Sequence, residues 1–191
     1  PAYPLRGGIA AFGERLAEAL LQAGHQVTIY TFSLQYPSFL FPGKTQFSND
    51  PAPENLTIKV CINSVHPFNW WKVGNEIKQL RPEWVICMFW LPFMGASLGT
   101  ILRRIKTNHY SRIIGIVHNM IPHEKRIGDQ TLAQYFVRPL DGAITLSESV
   151  AEDMKQFGDL PVLVTPHPIY DNYGASVKKE DAQAHLGLAT G

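Results

Sequence analysis

Residues 7–32, "GGIAAFGERLAEALLQAGHQVTIYTF", hold the two signals that decide the fold. Ile9, Phe12, Leu16 and Leu20 recur at helical spacing, Ala17 widens the stripe and Gly24 supplies a stop, so the pattern predicts a helix over 9–23. "HQVTIYTF" follows at once, a β-branched and aromatic run of the kind that forms a strand buried on both faces. A glycine pair opening a helix that feeds such a strand belongs to a parallel βα arrangement. Only six residues precede Gly7, too few for a strand and a turn, so the first strand of the sheet is expected to be missing from the start of the chain.

The alternation continues outward from this stretch. "LTIKVCI" (56–62) reads as strand, "NWWKVGNEIKQLRP" (69–82) as a helix stopped by Pro82, and "EWVICMFW" (83–90) as another buried strand. "GASLGTILRRIKTN" (95–108) is helical, with Leu98, Ile101, Leu102 and Ile105 on one stripe and Arg103, Arg104 and Lys106 elsewhere. Strand "RIIGIVHN" (112–119), helix "GDQTLAQYFVRPLDG" (128–142), strand "AITLS" (143–147), helix "ESVAEDMKQFG" (148–158) and strand "LPVLVTPHP" (160–168) complete it. Strands alternating with helices of this length imply βαβ units and a doubly wound, Rossmann-like α/β sheet covered on both faces. Residues 33–54 carry four prolines and no usable period, so they read as a long loop, of the sort that is functional or disordered. The domain is expected to span 1–168. Residues 169–191 are polar and charged, with one short helical stretch, and read as a linker leading towards an absent second domain.

Composition narrows the classes. Across 191 residues, 17 Lys+Arg against 16 Asp+Glu leave a net charge of +1, which gives no global attraction to nucleic acid or to an anionic membrane. Cys61 and Cys87 each sit in an apolar run and read as free core thiols, which implies a reducing compartment. No signal peptide and no apolar stretch near the eighteen or so residues of a spanning helix is visible, so the expected location is cytoplasmic, with at most a peripheral contact at the inner face of a membrane.

Ligands of such sheets sit outside the carboxyl ends of the strands. There the sequence places Gly7 and Gly8 at the mouth of the first helix, His118 and Asn119 followed by Ile121, Pro122, His123 and Glu124, then Ser147 and Glu148, then Pro166, His167 and Pro168. Amides at a helix start, helped by the helix dipole, favour an anionic group. Plainer readings stand beside each: the glycines as a tight turn, His118 as a strand-end histidine bonded to a carbonyl, Ser147 as a helix N-cap, His123 and Glu124 as an exposed loop pair. Gly7, Gly8 and Gly13 do not make G-x-G-x-x-G, and no acidic residue ends the strand after the first helix, which disfavours a dinucleotide dehydrogenase. His118 and His123 do not match H-E-x-x-H, neither cysteine has metal-ligand spacing, and no G-x-S-x-G or phosphate-loop motif occurs, so no metal or cofactor is expected.

"PLRGGIAAFGERLAEALLQAGHQVTIYTF", "GIVHNMIPHE", "DGAITLSESVAEDM" and "VLVTPHPIYDNYG", in that order, resemble the N-terminal, acceptor-side half of a family 4 glycosyltransferase of the GT-B fold, the glycogen synthase or group 1 type. The resemblance implies two Rossmann-like domains facing across a cleft, the acceptor mainly on the N-terminal domain and the nucleotide-sugar mainly on the C-terminal domain of the same polypeptide. It implies a retaining reaction without metal, transferring a hexose-like sugar to a glycan or lipid-linked acceptor, as in cell-envelope polysaccharide biosynthesis. It also implies roles: Gly7 and Gly8 against the donor phosphates, His118 at the active centre touching the donor sugar, and Ser147 at a donor-side rim position. On the acceptor side the expected residues are Arg6, Tyr36, Phe41, Lys44, Asn119 and His123, because sugars stack on aromatic faces beside polar groups and the loop sets Tyr36, Phe39, Phe41 and Phe47 beside Lys44. Those loop aromatics equally suit packing onto the core, and Arg103, Arg104 and Lys106 suit either lipid head groups or a plain solvated face. Without the second domain and its donor-clasping groups the chain alone is expected to be inactive. A non-catalytic α/β binding module, or a sugar-nucleotide epimerase of the same architecture, stays open, since fold alone does not separate them.

Overall fold

The computed structural model describes residues 1–37, 45–121, 126–168 and 176–188. α1 (Gly8–Gln22) leads into β1 (Thr28–Leu34), which pairs in parallel with β2 (Thr57–Asn63). α2 (Pro67–Leu80), β3 (Trp84–Phe89), α3 (Gly95–Lys106), β4 (Arg112–Val117), α4 (Asp129–Val137), β5 (Gly142–Thr145), α5 (Glu148–Met154) and β6 (Val162–Val164) follow. β3, β4, β5 and β6 form a second parallel sheet in that order. The doubly wound α/β reading holds.

Between β1 and β3 the ladder is broken, at the place where a strand feeding α1 would pair. The first residues lie in that break. The Ala2 amide donates to the Thr31 hydroxyl (2.9 Å), which donates back to the Ala2 carbonyl, and the Pro1 carbonyl packs on Gly13 beside Met88.

Adjacent residues of a strand point to opposite faces, and β3 shows which helices lie where. Phe89 stacks on Phe136 of α4, ring centroids 4.2 Å apart, whereas Met88 turns the other way to meet Gly13 of α1. Most of the core lies on the α4 side: Phe89, Phe136, Met94, Leu102, Ile105 and Ile113 have essentially no exposure. Each such side chain stabilises by about 1.5–3 kcal/mol. Close helix approach makes this density possible. A Cβ on Gly95 would come within 2.2 Å of the Leu132 carbonyl oxygen, and one on Gly99 within 2.6 Å of the Tyr135 ring, so α3 and α4 touch backbone to backbone.

Several expectations need correction. The α4 helix ends at Val137 rather than running to Gly142: Arg138 keeps helical dihedrals as the C-cap, but Pro139 has no amide with which to continue the hydrogen-bond ladder. β6 is three residues long and α5 gives way to a 3-10 turn (Lys155–Phe157) ended by Gly158 at φ 119°. α2 starts two residues earlier than its pattern, with the His66 ring accepting from the Asn69 amide as the cap. The sheet is not fully covered: α1 meets the carboxyl half of one face at Met88, while Trp84 and Ile86 on the amino half of that face stay exposed, as does Leu163 on the β6 edge, level with Met88. β2 is an edge strand, so Lys59 and Val60 are exposed as well. After Pro168 the described chain carries α6 (Lys179–Leu186), which buries no residue.

The described parts of the 33–54 segment, residues 33–37 and 45–54, are tied to the rest of the fold. Leu5 bridges Phe47 in antiparallel fashion, the Ser48 amide donates to the Pro4 carbonyl, and the Arg6 amide donates to the Gln46 carbonyl. The Gln46 side-chain amide then ties both backbone groups of Tyr36. None of these long-range bonds has a period that sequence alone displays.

Candidate functional site

Parallel strands end on one edge, and contacts across the break show that the two sheets share it. Phe32 meets Trp90 edge-on at 6.1 Å, Trp90 Nε1 donates to the Tyr36 hydroxyl (2.5 Å), and Tyr36 stacks over Phe93. The carboxyl ends of β1 and β3 therefore lie together. The His118 amide donates to the Phe89 carbonyl (2.8 Å) and the Thr165 amide to the Thr145 carbonyl (2.9 Å), which extends the rim to β4, β5 and β6.

α1 starts on this rim. Gly7 is its N-cap at φ 123°, a conformation open to glycine, and a Cβ there would meet no protein atom within 4 Å. Gly7 has no side chain with which to cap the helix, and the first turn holds no acid, so the positive end of the helix lies at this rim. One turn on, about 6 Å along the axis, Phe12 packs edge-on against the His118 ring at 5.1 Å and touches His167 at 5.6 Å. Gly7, Gly8 and His118 thus occupy one side of the sheet, and Phe12 links them.

His118 is half-buried and its Nε2 is enclosed without a hydrogen-bond partner among the described residues. Burial, then the neighbouring His167 and the amino terminus, push its pKa down to about 4. At neutral pH the ring is uncharged. It offers a polar nitrogen that the protein leaves unanswered, which in a native structure asks for a reason. A second buried group of this kind stands on the neighbouring strand: the Thr145 hydroxyl at the end of β5, opposite Val117.

Other expected residues fall out differently. Asn119 follows His118 on the rim, half-buried. Ser147 is on the rim, but its hydroxyl caps α5 by accepting from the Val150 amide (3.4 Å). Arg6 is exposed next to Gly7. Tyr36 is half-buried and built into the scaffold rather than displayed as an exposed stacking face. Phe41, Lys44 and His123, with Phe39 and Glu124, lie outside the described residues. The three basic residues of α3 are all engaged: Arg103 donates to the Tyr135 carbonyl, Arg104 to Asn75, and Lys106 to Asp141. They are fastenings of α3, not a bare cationic stripe.

Sequence reasoning missed the β2 end of the same rim. Ser33, Asn63, His66, Phe68, Asn69 and Lys72 line an open hollow of about 370 Å³ there. The signal lies in "NSVHPFNWWK" (63–72), which follows a strand as the other rim segments do, but its helical period masks the polar residues at the strand end. Among the described residues no cluster of His, Cys, Asp and Glu could hold a metal ion, and no helix is long and apolar enough to cross a membrane.

The model of Glycosyltransferase Family 4 matches residues 6–172, a span that includes α1, all six strands and every rim residue just described. No curated protein matches the chain.

Proposed function

The chain belongs to glycosyltransferase family 4, with the fold of an N-terminal GT-B domain, and from that premise we propose that it serves transfer of a sugar from a nucleotide-sugar to a glycan or lipid-linked acceptor at the rim between α1 and β4. The observation that carries this reading is the His118 Nε2, enclosed without a partner among the described residues and held by Phe12 one turn from the start of α1. Two needs of the reaction meet there. Departure of a nucleoside diphosphate builds negative charge on phosphate oxygens, which preorganised amides and the helix dipole stabilise without reorganising. The reacting sugar must also be held in orientation, and a neutral imidazole can exchange a hydrogen bond with a sugar hydroxyl at no cost of burying a charge.

In this reading Gly7 and Gly8 keep the helix mouth clear for the diphosphate, and His118 positions the donor sugar. Asn119 and Arg6 flank the acceptor, and Ser147 shapes the rim through the α5 cap. No metal or cofactor takes part, the second GT-B domain of the polypeptide supplies most of the donor's contacts, and configuration is retained. A cytoplasmic setting, beside the inner face of a membrane where the acceptor is lipid-linked, suits a cell-envelope role.

The test uses the full polypeptide. Nucleotide-sugars are screened by thermal shift, a ligand at 100 times its Kd adding roughly 2.7 kcal/mol, and the hit is then assayed for transfer. His118→Ala is expected to lower kcat by at least 100-fold with the melting temperature at pH 7.5 little changed. Gly7→Ala is expected to weaken nucleotide-sugar binding. Undiminished transfer by His118→Ala removes this site from the reaction.

A further inference from the structure

At the β2 end of the rim, Phe68 is 83 % exposed and Trp71 56 % exposed on consecutive turns of α2, and Val65 before the helix is 46 % exposed. Among the described residues Phe68 lies outside the buried core; its ring meets His66, centroids 6.1 Å apart, and lines the hollow together with Ser33, Asn63, Asn69 and Lys72. The polar floor of this hollow is prebuilt. Asn69 accepts from the Asn63 amide and donates to the Cys61 carbonyl, its own amide is held by the His66 ring, and the Ser33 hydroxyl donates to the Ile62 carbonyl.

Charge in the hollow has one sign. No carboxylate lines it, and Lys72 makes no ion pair among the described residues. Glu76, one turn further along α2, feels the Lys72 charge but is hydrogen-bonded by Lys59 at 2.7 Å and by the Tyr30 hydroxyl, not by Lys72. The hollow, about 370 Å³, is shallow and open to solvent, so it would hold a group at the surface rather than enclose it. A cation, an exposed aromatic face and fixed amide and hydroxyl groups are the means by which proteins hold a phosphorylated sugar: the ammonium takes the anion and the ring takes the sugar's apolar face.

We propose that this hollow receives a phosphate-bearing sugar of the acceptor, Lys72 meeting the phosphate and Phe68 the adjoining ring. The inference rests on the acceptor-side reading given above. It adds a length to that reading. The ends of β2 and β4 are separated by β1, the opening residues and β3, roughly 15–20 Å at ordinary strand spacing. An acceptor that reaches from this hollow to His118 is therefore longer than one sugar, and its anionic group is remote from the hydroxyl that receives the new residue. The same chemistry is offered by a soluble sugar phosphate and by a phosphorylated lipid head group, and the experiment separates these sources.

Binding to the 191-residue chain is followed by amide NMR shifts with glucose 6-phosphate, and with glucose as the uncharged control. Flotation with vesicles of phosphatidylcholine and phosphatidylglycerol in equal parts, against phosphatidylcholine alone, forms the second arm. Expected is saturable binding of glucose 6-phosphate with shifts centred on Asn63, Asn69 and Lys72, at least tenfold weaker for Lys72→Ala and for Phe68→Ala, both exposed positions whose melting temperatures should stay near that of the parent. Flotation on the anionic vesicles alone, lost in the same two variants, also supports the hollow and names a lipid head group as the source. Glucose binding as tightly as its phosphate, binding indifferent to Lys72→Ala, or no binding in either arm overturns the proposal. No nucleotide-sugar is used, so failure here leaves the His118 test untouched, and failure of that test leaves this binding in place.

Discussion

Lowering the pH should weaken this domain through His118, and the size of the effect follows from its surroundings. In the unfolded chain the ring titrates near 6.5, whereas in the fold burial, His167 and the amino terminus hold it down to about 4. Between those values the unfolded chain binds the extra proton and the folded one does not, so stability falls as pH drops through the window and is fully present above it. From pH 7 to pH 5 the full shift corresponds to about 2 kcal/mol, and because the ring is only half-buried, screening by water cuts this to about 1 kcal/mol. For a domain of this size that is roughly 2–4 °C of melting temperature. The assay is urea unfolding of the parent and of His118→Gln at intervals between pH 4 and 7.5. All other ionisable groups are common to both proteins, so the difference between the two curves isolates His118. The parent should lose about 1 kcal/mol more than the variant between pH 7 and pH 5. Parallel curves would mean that the ring charges freely in the fold, and the picture of an enclosed, unanswered nitrogen would be wrong.

Two further outcomes test the scaffold that positions the rim. Gly95→Ala drives a Cβ to 2.2 Å from the Leu132 carbonyl oxygen and should destabilise by about 2–3 kcal/mol or more, whereas Gly142→Ala, whose Cβ finds its nearest neighbours at 3.4 Å, should be nearly neutral; urea midpoints decide it, and equal midpoints would refute the close α3–α4 contact. Asp141→Ala strips the buried Ile113 amide of its 2.8 Å acceptor and should lower unfolding free energy by about 1–3 kcal/mol, while Lys106→Ala removes only the half-exposed partner of that carboxylate and should lower it by less than about 1 kcal/mol; a reversed order in the same assay would show that the ion pair, not the amide, holds Asp141.

Much of the site was legible because the carboxyl-end rule needs only element order. Once the strands before His118, Ser147 and His167 are recognised, their ends must lie on one edge, and the helix opened by Gly7 must start there. What escaped notice has a common cause. The anchoring of Tyr36 by Gln46 and Trp90, the strap formed by Pro4, Leu5 and Arg6 against Gln46, Phe47 and Ser48, and the hollow beside Lys72 all join residues distant in sequence through single hydrogen bonds or ring contacts. Such contacts leave no periodic trace. The basic residues of α3 show the converse: their spacing marked them as surface, and only the fold revealed that Tyr135, Asn75 and Asp141 take them up.

By itself the sequence determined the order of strands and helices, the parallel α/β class and the set of polar residues at strand ends, because periodicity and turn chemistry act between neighbours a few residues apart. Only the tertiary structure decided that Phe12 sets His118 beside the start of α1, that Ser147 is occupied as a cap, and that Lys72 stands over a hollow without a carboxylate. The physical reason is that burial and pairing belong to packed surfaces: whether a histidine nitrogen is answered, or a lysine taken, depends on which distant side chain the folding of the sheet brings within about 3 Å.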